Sequence, residues 1–261
     1  MPEGHKTHHF ARKHSALLGG QKLSVTSPQG RFKDDARRVH RRVLDRVEAF
    51  GKHLFYSFDG DRIVHVHLGR YGSFRQSGTP SPEPRGKVRM RMVGELATLD
   101  LNGPSTCRVI DPMTRQEVVS RLGPDPLAAG SRADVWNSIA TSKKPIGGLL
   151  LDQSIVSGVG NIFRAEVLFE CGIHPEVPGN ELTEEQFREV WKSLCKMMKT
   201  GLKYGQIIAV TAKEIKKPLS KVESTERFRV YGKSSCPRCQ SPIQTIIVAA
   251  RKIYVCENCQ A

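Results

Sequence analysis

The chain has 261 residues, with 41 lysines and arginines against 26 acids and a formal net charge of +15. That excess points to a polyanionic partner, nucleic acid ahead of a membrane surface, and the length with 38% hydrophobic residues suits two modest cores and a small appendage. No apolar run approaches the ~20 residues of a transmembrane helix. The N-terminus lacks the apolar core of a signal peptide, so a reducing cytoplasm is expected. There, seven cysteines argue for metal ligands or buried thiols rather than disulfides.

Met1-Pro2-Glu3-Gly4 opens the chain. Loss of Met1 leaves Pro2 as a free secondary amine, and an α-amine titrating near pH ~8 is partly unprotonated at neutrality. Such an amine attacking a carbonyl-type carbon gives an iminium, an electron sink. Glu3 sets a carboxyl one residue away. Alone, the four residues favour the plainer reading, a Pro2 that permits methionine excision and a Glu3 that caps a helix. Glu3 to Leu18 reads as a helix stopped by Gly19-Gly20. Pro2 then lies at the positive end of the helix dipole, which disfavours an ammonium. The polar face carries His5, His8, His9 and His14. Without a carboxylate or cysteine at ligand spacing, these read as a solvated or DNA-facing surface rather than a metal cluster.

Strand signals follow: Leu23 to Thr26, then His53 to Phe58 and Ile63 to Leu68 around the Asp59-Gly60 turn, then Val88 to Val93. Leu99-Asp100-Leu101 runs into Asn102-Gly103, a second hairpin signal. Short strands at this spacing suggest an antiparallel sandwich. Gly78 to Pro84 reads as a surface loop. Arg31 to Arg46, seven basic residues against three acids, is either a phosphate-binding surface or a solvated helix. Lys52, at a turn before an apolar strand, is either a surface residue or a phosphate grip.

Asp111 to Gly130 is rich in Pro and Gly and reads as an interdomain link. Ser131 to Ala140 is a short helix with Trp136 toward the core. Glu184 to Thr200 is a helix with a Thr183/Gln186 capping box and an apolar face of Phe187, Val190, Trp191, Leu194, Met197 and Met198, ended by Gly201. Between them, an apolar helical stretch from Ile146 meets a glycine-spaced turn, Gly158-Val159-Gly160-Asn161, that opens a helix over Ile162 to Glu170. Glycines let backbone N–H groups approach an anion, and Asn161 can add a side-chain donor. Cys236, Cys239, Cys256 and Cys259 form C-x2-C-x16-C-x2-C, a spacing suited to one structural Zn2+. Between the pairs, Ile243 to Val248 and Ile253 to Val255 read as strands with Ala249 to Lys252 at the tip, presenting Arg251 outward. Cys107, Cys171 and Cys195 read as buried thiols.

Together these residues resemble the bacterial formamidopyrimidine-DNA glycosylase and endonuclease VIII family over nearly the whole chain. The matching stretches are Met1 to Gly4, Phe50-Gly51-Lys52, His67-Leu68-Gly69 with Gly72-Ser73, Ser157 to Ile162, and Val230-Tyr231-Gly232 through Cys259-Gln260. The resemblance implies an α+β chain. It consists of an N-terminal antiparallel β-sandwich with flanking helices over 1–115, a linker over 116–130, a helix–two-turn–helix domain over 131–225, and a four-cysteine zinc-finger β-hairpin over 226–261. It implies Pro2 as the nucleophile at C1′ of a damaged nucleotide, Glu3 as the acid, and Lys52 as a phosphate-binding catalytic group. Asn161 and Arg251 are implied to hold phosphates beside the flipped nucleotide. The gap-filling loop here carries Arg70-Tyr71, with Tyr71 a stacking wedge and Arg70 a partner for the widowed base or a phosphate. Gly4 and Tyr71 favour the endonuclease VIII branch, while His5 resembles an actinobacterial-type subgroup. Ile207 to Phe228, where purine-specific members place a lesion-capping loop, is Lys-rich without a clear match.

The implied function is a bifunctional glycosylase and abasic-site lyase of base-excision repair. It would remove oxidised bases, pyrimidines preferred, through a Pro2 Schiff base and β,δ-elimination. The alternatives are an oxidised-purine enzyme or mainly a lyase on the same scaffold, and a zinc-finger module that binds damaged DNA without cutting it. Expected partners are damaged DNA, duplex or single-stranded, and no membrane. The protein is expected to be a monomer in the bacterial cytoplasm, associated with the nucleoid.

Overall fold

The first helix, α1 (Gly4–Leu18), starts from an extended Glu3 and stops where the Gly19 N–H returns to the Ser15 carbonyl. It belongs to a computed structural model that describes residues 2–128 and 131–260. The histidine-bearing face differs from the solvated surface expected. His5 and His14 are 3% and 2% exposed, and only His8 and His9 are half-buried. His14 Nδ1 lies 2.8 Å from the Tyr56 hydroxyl, with its ring edge-on to Phe74 at 4.7 Å. Burial, aided by the neighbouring charges of Lys13 and His9, pushes His14 down to about 3, so it is a neutral core residue. Helical periodicity alone could not place this face inward, because the partners arrive from distant strands.

The chain divides into two compact units, 1–121 and 122–261. In the first, β1 (Lys22–Thr26), α2 (Lys33–Val39), β2 (Arg42–Phe50), β3 (His53–Phe58), β4 (Arg62–His67), β5 (Ser73–Gly78), β6 (Val88–Val93), β7 (Ala97–Asn102) and β8 (Thr106–Ile110) precede α3 (Pro112–Ser120). The strands form one antiparallel sheet in the order β5-β7-β6-β1-β2-β3-β4-β8. Lys22 and Leu23 pair with β2, while Ser24 to Thr26 pair with β6, so β1 hands the sheet from one half to the other. Leu23, Val25, Leu54, Val66, Met92 and Leu99 from both halves meet in one core. The antiparallel sandwich expected from strand spacing is present.

Three local expectations are revised. Asn102-Gly103 does not close a hairpin, because β7 pairs with β5 and β6 whereas β8 pairs with β4 at the opposite edge. Gly103, at φ +56°, instead redirects the chain between the sheet's two edges. The basic run at 31–46 is helical only over α2. Arg41 turns back at φ +58° and β2 begins at Arg42, burying Leu44 and Val47. Asp111 caps α3 by accepting from Thr114 N–H at 2.7 Å, so the first part of the stretch read as a link is helix.

In the second unit, α4 (Arg132–Ala140), α5 (Ile146–Leu149), α6 (Asn161–Cys171), α7 (Glu184–Tyr204) and α8 (Ala212–Ile215) lead to the ribbon β9 (Gln244–Val248) and β10 (Arg251–Val255). Residues 122–128 belong to this unit. Gly123 and Ser157 N–H groups bond to Gln153 O and Pro124 O, and Asp125 is fully buried. The capping box at Thr183 is present and Trp136 stacks on Phe187 at 5.2 Å. Helix α7 runs through Gly201, which is buried, and ends at Gly205 in the left-handed region, φ +68°. A glycine inside a helix costs about 1 kcal/mol, which packing of Met197, Met198 and Leu202 offsets. Cys107, Cys171 and Cys195 are half-buried rather than buried. No helix among the described residues is long and apolar enough to cross a membrane.

His14, His53 and His65 are held at about 3, about 3 and about 4, below the ordinary 6.5. An unfolded chain therefore takes up protons that the folded chain refuses. Stability is complete above pH 6.5 and is lost as pH falls toward those folded values. Urea midpoints at pH 7 and pH 5 should differ, and by less in His14→Gln, which isolates one imidazole from other acid-labile groups. Identical pH dependence of the two proteins would refute a neutral, buried His14.

Candidate active site and nucleic-acid interface

In the first unit, the sequence-selected residues cluster around the start of α1. Pro2 is half-buried, and Glu3 is fully buried at the N-cap, where its carboxyl does not cap the helix; the Lys6 N–H instead bonds to the Glu3 carbonyl at 2.8 Å. The helix-capping alternative for Glu3 is therefore not realised. Gly51 and Lys52 form the two-residue turn between β2 and β3, with Phe50 opposite His53 and Gly51 at φ +55°. One side chain joins turn and helix. The Thr7 hydroxyl lies 2.8 Å from Gly4 O and 2.7 Å from Gly51 O, in a buried setting. Lys52 is thus held near the chain's beginning by a contact that spacing along the sequence does not reveal.

The loop after β4 is rigid at its base. The Gly72 N–H bonds to Leu68 O at 2.9 Å, and a Cβ at Gly72 would lie 2.2 Å from that same oxygen. Ser105 bonds to His67 through backbone and side chain. At the tip, Tyr71 is 76% exposed, with the Arg70 guanidinium 5.4 Å from its ring centre. An exposed aromatic on a constrained loop can insert into a base stack.

In the second unit, Gln153 shapes the glycine turn, donating to Leu151 O and Val159 O and accepting from Gly158 N–H. Gly158 stands at φ +87°. Asn161 opens α6, but its side chain is only 9% exposed and is committed within the protein. Its Nδ2 donates to Lys252 O at 3.0 Å, while its Oδ1 accepts from Arg164 at 3.0 and 2.7 Å. Arg164 is the residue that sequence reasoning missed. It is fully buried and also reaches the carbonyls of Gly147, Val248, Arg251 and Lys252. An arginine three residues beyond Asn161, set between the apolar Phe163 and Ala165, was the available signal. Arg251 itself is exposed and begins β10; the turn is Ala249-Ala250, both left-handed, so Arg251 and Lys252 are strand residues and not the tip.

The four cysteines converge. Their sulfurs lie within 4.8 Å of one another, with Cys236–Cys259 at 3.8 Å and Cys239–Cys256 at 3.5 Å. A tetrahedron with Zn–S bonds of about 2.3 Å has S···S edges of about 3.8 Å, so the donor set fits zinc. Among the described residues this is the one group arranged as a metal site. Both knuckles are tied to the end of α6. Arg238 donates to Phe169 O and Glu170 O, and Gln260 links Cys256 N–H to Ile173 O. Glu166, buried, accepts from the N–H groups of Arg229, Val230 and Tyr231. Burial pushes its carboxyl upward against those three bonds.

Residues 207–228 are ordered by local chemistry. Thr211 and Glu214 form a capping box for α8, and Glu214 pairs with Arg229 at 2.7 Å, which holds its carboxyl at about 2. Lys217 pairs with Glu223 and Glu226. Lys192, Lys196, Lys199 and Lys203 form an exposed stripe on α7 opposite its apolar face.

Comparison with known proteins agrees with this arrangement. Residues 1–112 match the model of the Formamidopyrimidine-DNA glycosylase N-terminal domain, and residues 122–213 that of the Formamidopyrimidine-DNA glycosylase H2TH domain. The chain is 43% identical to "Endonuclease 8 1" of Mycobacterium tuberculosis, with all of both chains covered. It is 30% identical to a formamidopyrimidine-DNA glycosylase of Thermus thermophilus, covering 100% of this chain and 98% of that one. A crystal structure of Lactococcus lactis Fpg in complex with N7-benzyl-Fapy-dG-containing DNA superposes with a TM-score of 0.83 over 99% of each chain at 24% identity. The chain therefore belongs to the formamidopyrimidine-DNA glycosylase and endonuclease VIII family of DNA-repair glycosylases.

Proposed function

We propose that the protein is a bifunctional DNA glycosylase and abasic-site lyase that removes oxidised bases, pyrimidines preferred. The carrying observation is the buried Glu3 carboxyl next to Pro2 at the start of α1, with the Lys52 turn tied to the same first helical turn by Thr7. The α1 dipole favours the neutral Pro2 amine once Met1 is gone. The nitrogen bonds to C1′ as the base departs and the C1′–O4′ bond opens, with Glu3 delivering a proton to the ring oxygen. The resulting iminium acidifies C2′, so loss of that proton expels the 3′ phosphate. A second, δ-elimination expels the 5′ phosphate.

Lys52 grips a phosphate near the lesion. Asn161, through its remaining N–H and its place at the start of α6, and Arg251, from β10, hold phosphates flanking the extruded nucleotide. Tyr71 fills the vacated stack and Arg70 meets the widowed base or a phosphate. The four cysteines hold one structural Zn2+, which supplies cross-linking of the ribbon and no chemistry. The pyrimidine preference is supported by Gly4, by Tyr71, and by 43% identity to an endonuclease 8 against 30% to a formamidopyrimidine-DNA glycosylase. Of the linker expected over 116–130, residues 116–121 go with the catalytic domain and 122–128 with the helix–two-turn–helix domain, which the zinc finger over 226–261 follows. The enzyme acts as a monomer on duplex or single-stranded damaged DNA in the bacterial cytoplasm, at the nucleoid.

Borohydride should trap the processed protein on abasic-site DNA, and Pro2→Gly should abolish the adduct. Undiminished trapping of the variant would move the nucleophile elsewhere, and no adduct from correctly processed parent protein would favour a pure binding module. Thymine glycol should leave a duplex faster than 8-oxoguanine; the reverse order would overturn the pyrimidine preference. Chelation should release one zinc per chain, together with DNA affinity. Arg164→Met should weaken DNA binding while zinc content stays at one per chain, because it strands the carbonyls of the ribbon without touching the thiolates. Parent-like affinity of that variant would show that the ribbon is positioned by other contacts.

A further inference from the structure

Three histidines line the outer face of the β3–β4 hairpin just beyond Lys52, and the roles above use none of them. His53 faces His67 and Phe55 faces His65 across the two strands. The rings of His53 and His65 are 5.1 Å apart and nearly parallel, and those of His53 and His67 are 4.9 Å apart. His53 Nδ1 and His65 Nε2 share a 2.8 Å hydrogen bond. The other nitrogen of His65, Nδ1, is buried with no hydrogen-bond partner among the described residues.

These contacts select a tautomer. If His53 donated from Nδ1, a neutral His65 would carry its proton on Nδ1, leaving a buried N–H unsatisfied. If His65 donates from Nε2, only a bare lone pair is left at Nδ1. Buried unsatisfied N–H groups are the rarer and costlier kind. His53 therefore accepts at Nδ1 and carries its proton on Nε2, across the half-buried ring from the inward-facing nitrogen. His67 Nδ1 lies 2.8 Å from the Ser105 hydroxyl and 3.2 Å from the Gly69 nitrogen, so that ring is held by its own partners and not by His53. All three rings are held toward the neutral form, because burial and the neighbouring charges of Lys52 and Arg108 disfavour imidazolium in this cluster. Phe55, stacked on His65 at 5.1 Å, supports the ladder from behind.

We propose that His53 is a neutral Nε2–H donor to an anionic phosphate oxygen of the bound DNA strand beside Lys52, and that His65 is a positioning residue that acts through His53 by fixing its tautomer. The inference rests on the reading that this face binds DNA. A neutral, pre-aligned donor adds direction where Lys52 adds charge, and its proton needs no rearrangement when the phosphate arrives.

The test uses the full-length protein, a duplex carrying a tetrahydrofuran abasic analogue, and imidazole nitrogen NMR. In the free protein His53 should be protonated on Nε2 and bare on Nδ1, and His65→Phe should populate both tautomers of His53. His53→Phe should weaken duplex binding about tenfold, the range of a hydrogen bond to a charged group. His53→Gln, which keeps an N–H at the ring's far end, should restore affinity to within about threefold and so exclude a folding defect. A His53 protonated on Nδ1, or parent-like affinity of His53→Phe, would overturn the inference while parent protein still bound the duplex. Failure of the parent itself to bind would instead overturn the functional reading beneath it, and the donor role with it.

Discussion

The second unit depends on one buried cation. Arg164 has no exposure, and its five N–H groups are directed at Asn161 Oδ1 and at the carbonyls of Gly147, Val248, Arg251 and Lys252. Burying a guanidinium is costly unless each donor is matched. Here the matched oxygens come from α5, α6 and both strands of the ribbon, so those elements must arrive together for the charge to be tolerated. The ribbon has only a short strand pair and a four-sulfur cluster of its own. Arg164, Arg238, Gln260 and Glu166 supply the polar contacts that dock it on α6. The cysteines shape the ribbon, and Arg164 aims it.

The same economy operates in the first unit with neutral groups. His14 buries its ring against Phe10, Phe74 and the Tyr56 hydroxyl, and Thr7 ties α1 to the Gly51 turn. Each polar group is placed where one partner from a distant strand satisfies it. The helix that bears Pro2 and Glu3 is therefore fixed along its length by contacts to β2 and β3 and at its start by contact with the Lys52 turn. Orientation of a nucleophile to within a fraction of an ångström is worth several kcal/mol of barrier, and these contacts are the ones that can supply it.

Much of this was legible in the amino-acid order because it was local. The capping box at Thr183, the paired cysteines and the turn at Asp59-Gly60 each carry their signal within a few residues. What failed was non-local. Asn102-Gly103 has hairpin composition, yet its flanking strands find partners at opposite edges of the sheet, a decision made by β4 and β6. His14 looks like part of a wet helix face until Tyr56 of β3 and Phe74 of β5 cover it. Gly201 has the composition of a helix end, but Met198 and Leu202 on either side are drawn into the core and carry the helix past it. Arg164 gave only a faint signal, because a buried arginine is defined by its partners, and its four carbonyl partners are at least seventeen residues away.

Charge and direction are divided between different residues. The lysines of α7, at 192, 196, 199 and 203, are exposed and held by nothing stronger than the surface pair of Lys192 with Glu189 and the Tyr204 ring beside Lys203, suited to a phosphate backbone of any sequence. Adding more cations at the reaction site would strengthen that attraction without improving register, and would hold Glu3 as a carboxylate where the proposed role needs its acid form. The histidines beside Lys52 avoid this conflict. Pushed to neutrality by burial and by neighbouring charges, they can donate N–H groups without adding charge there. A chain with a net charge of +15 thus keeps its surplus on the periphery and relies on matched, mostly uncharged hydrogen bonds where geometry decides the chemistry.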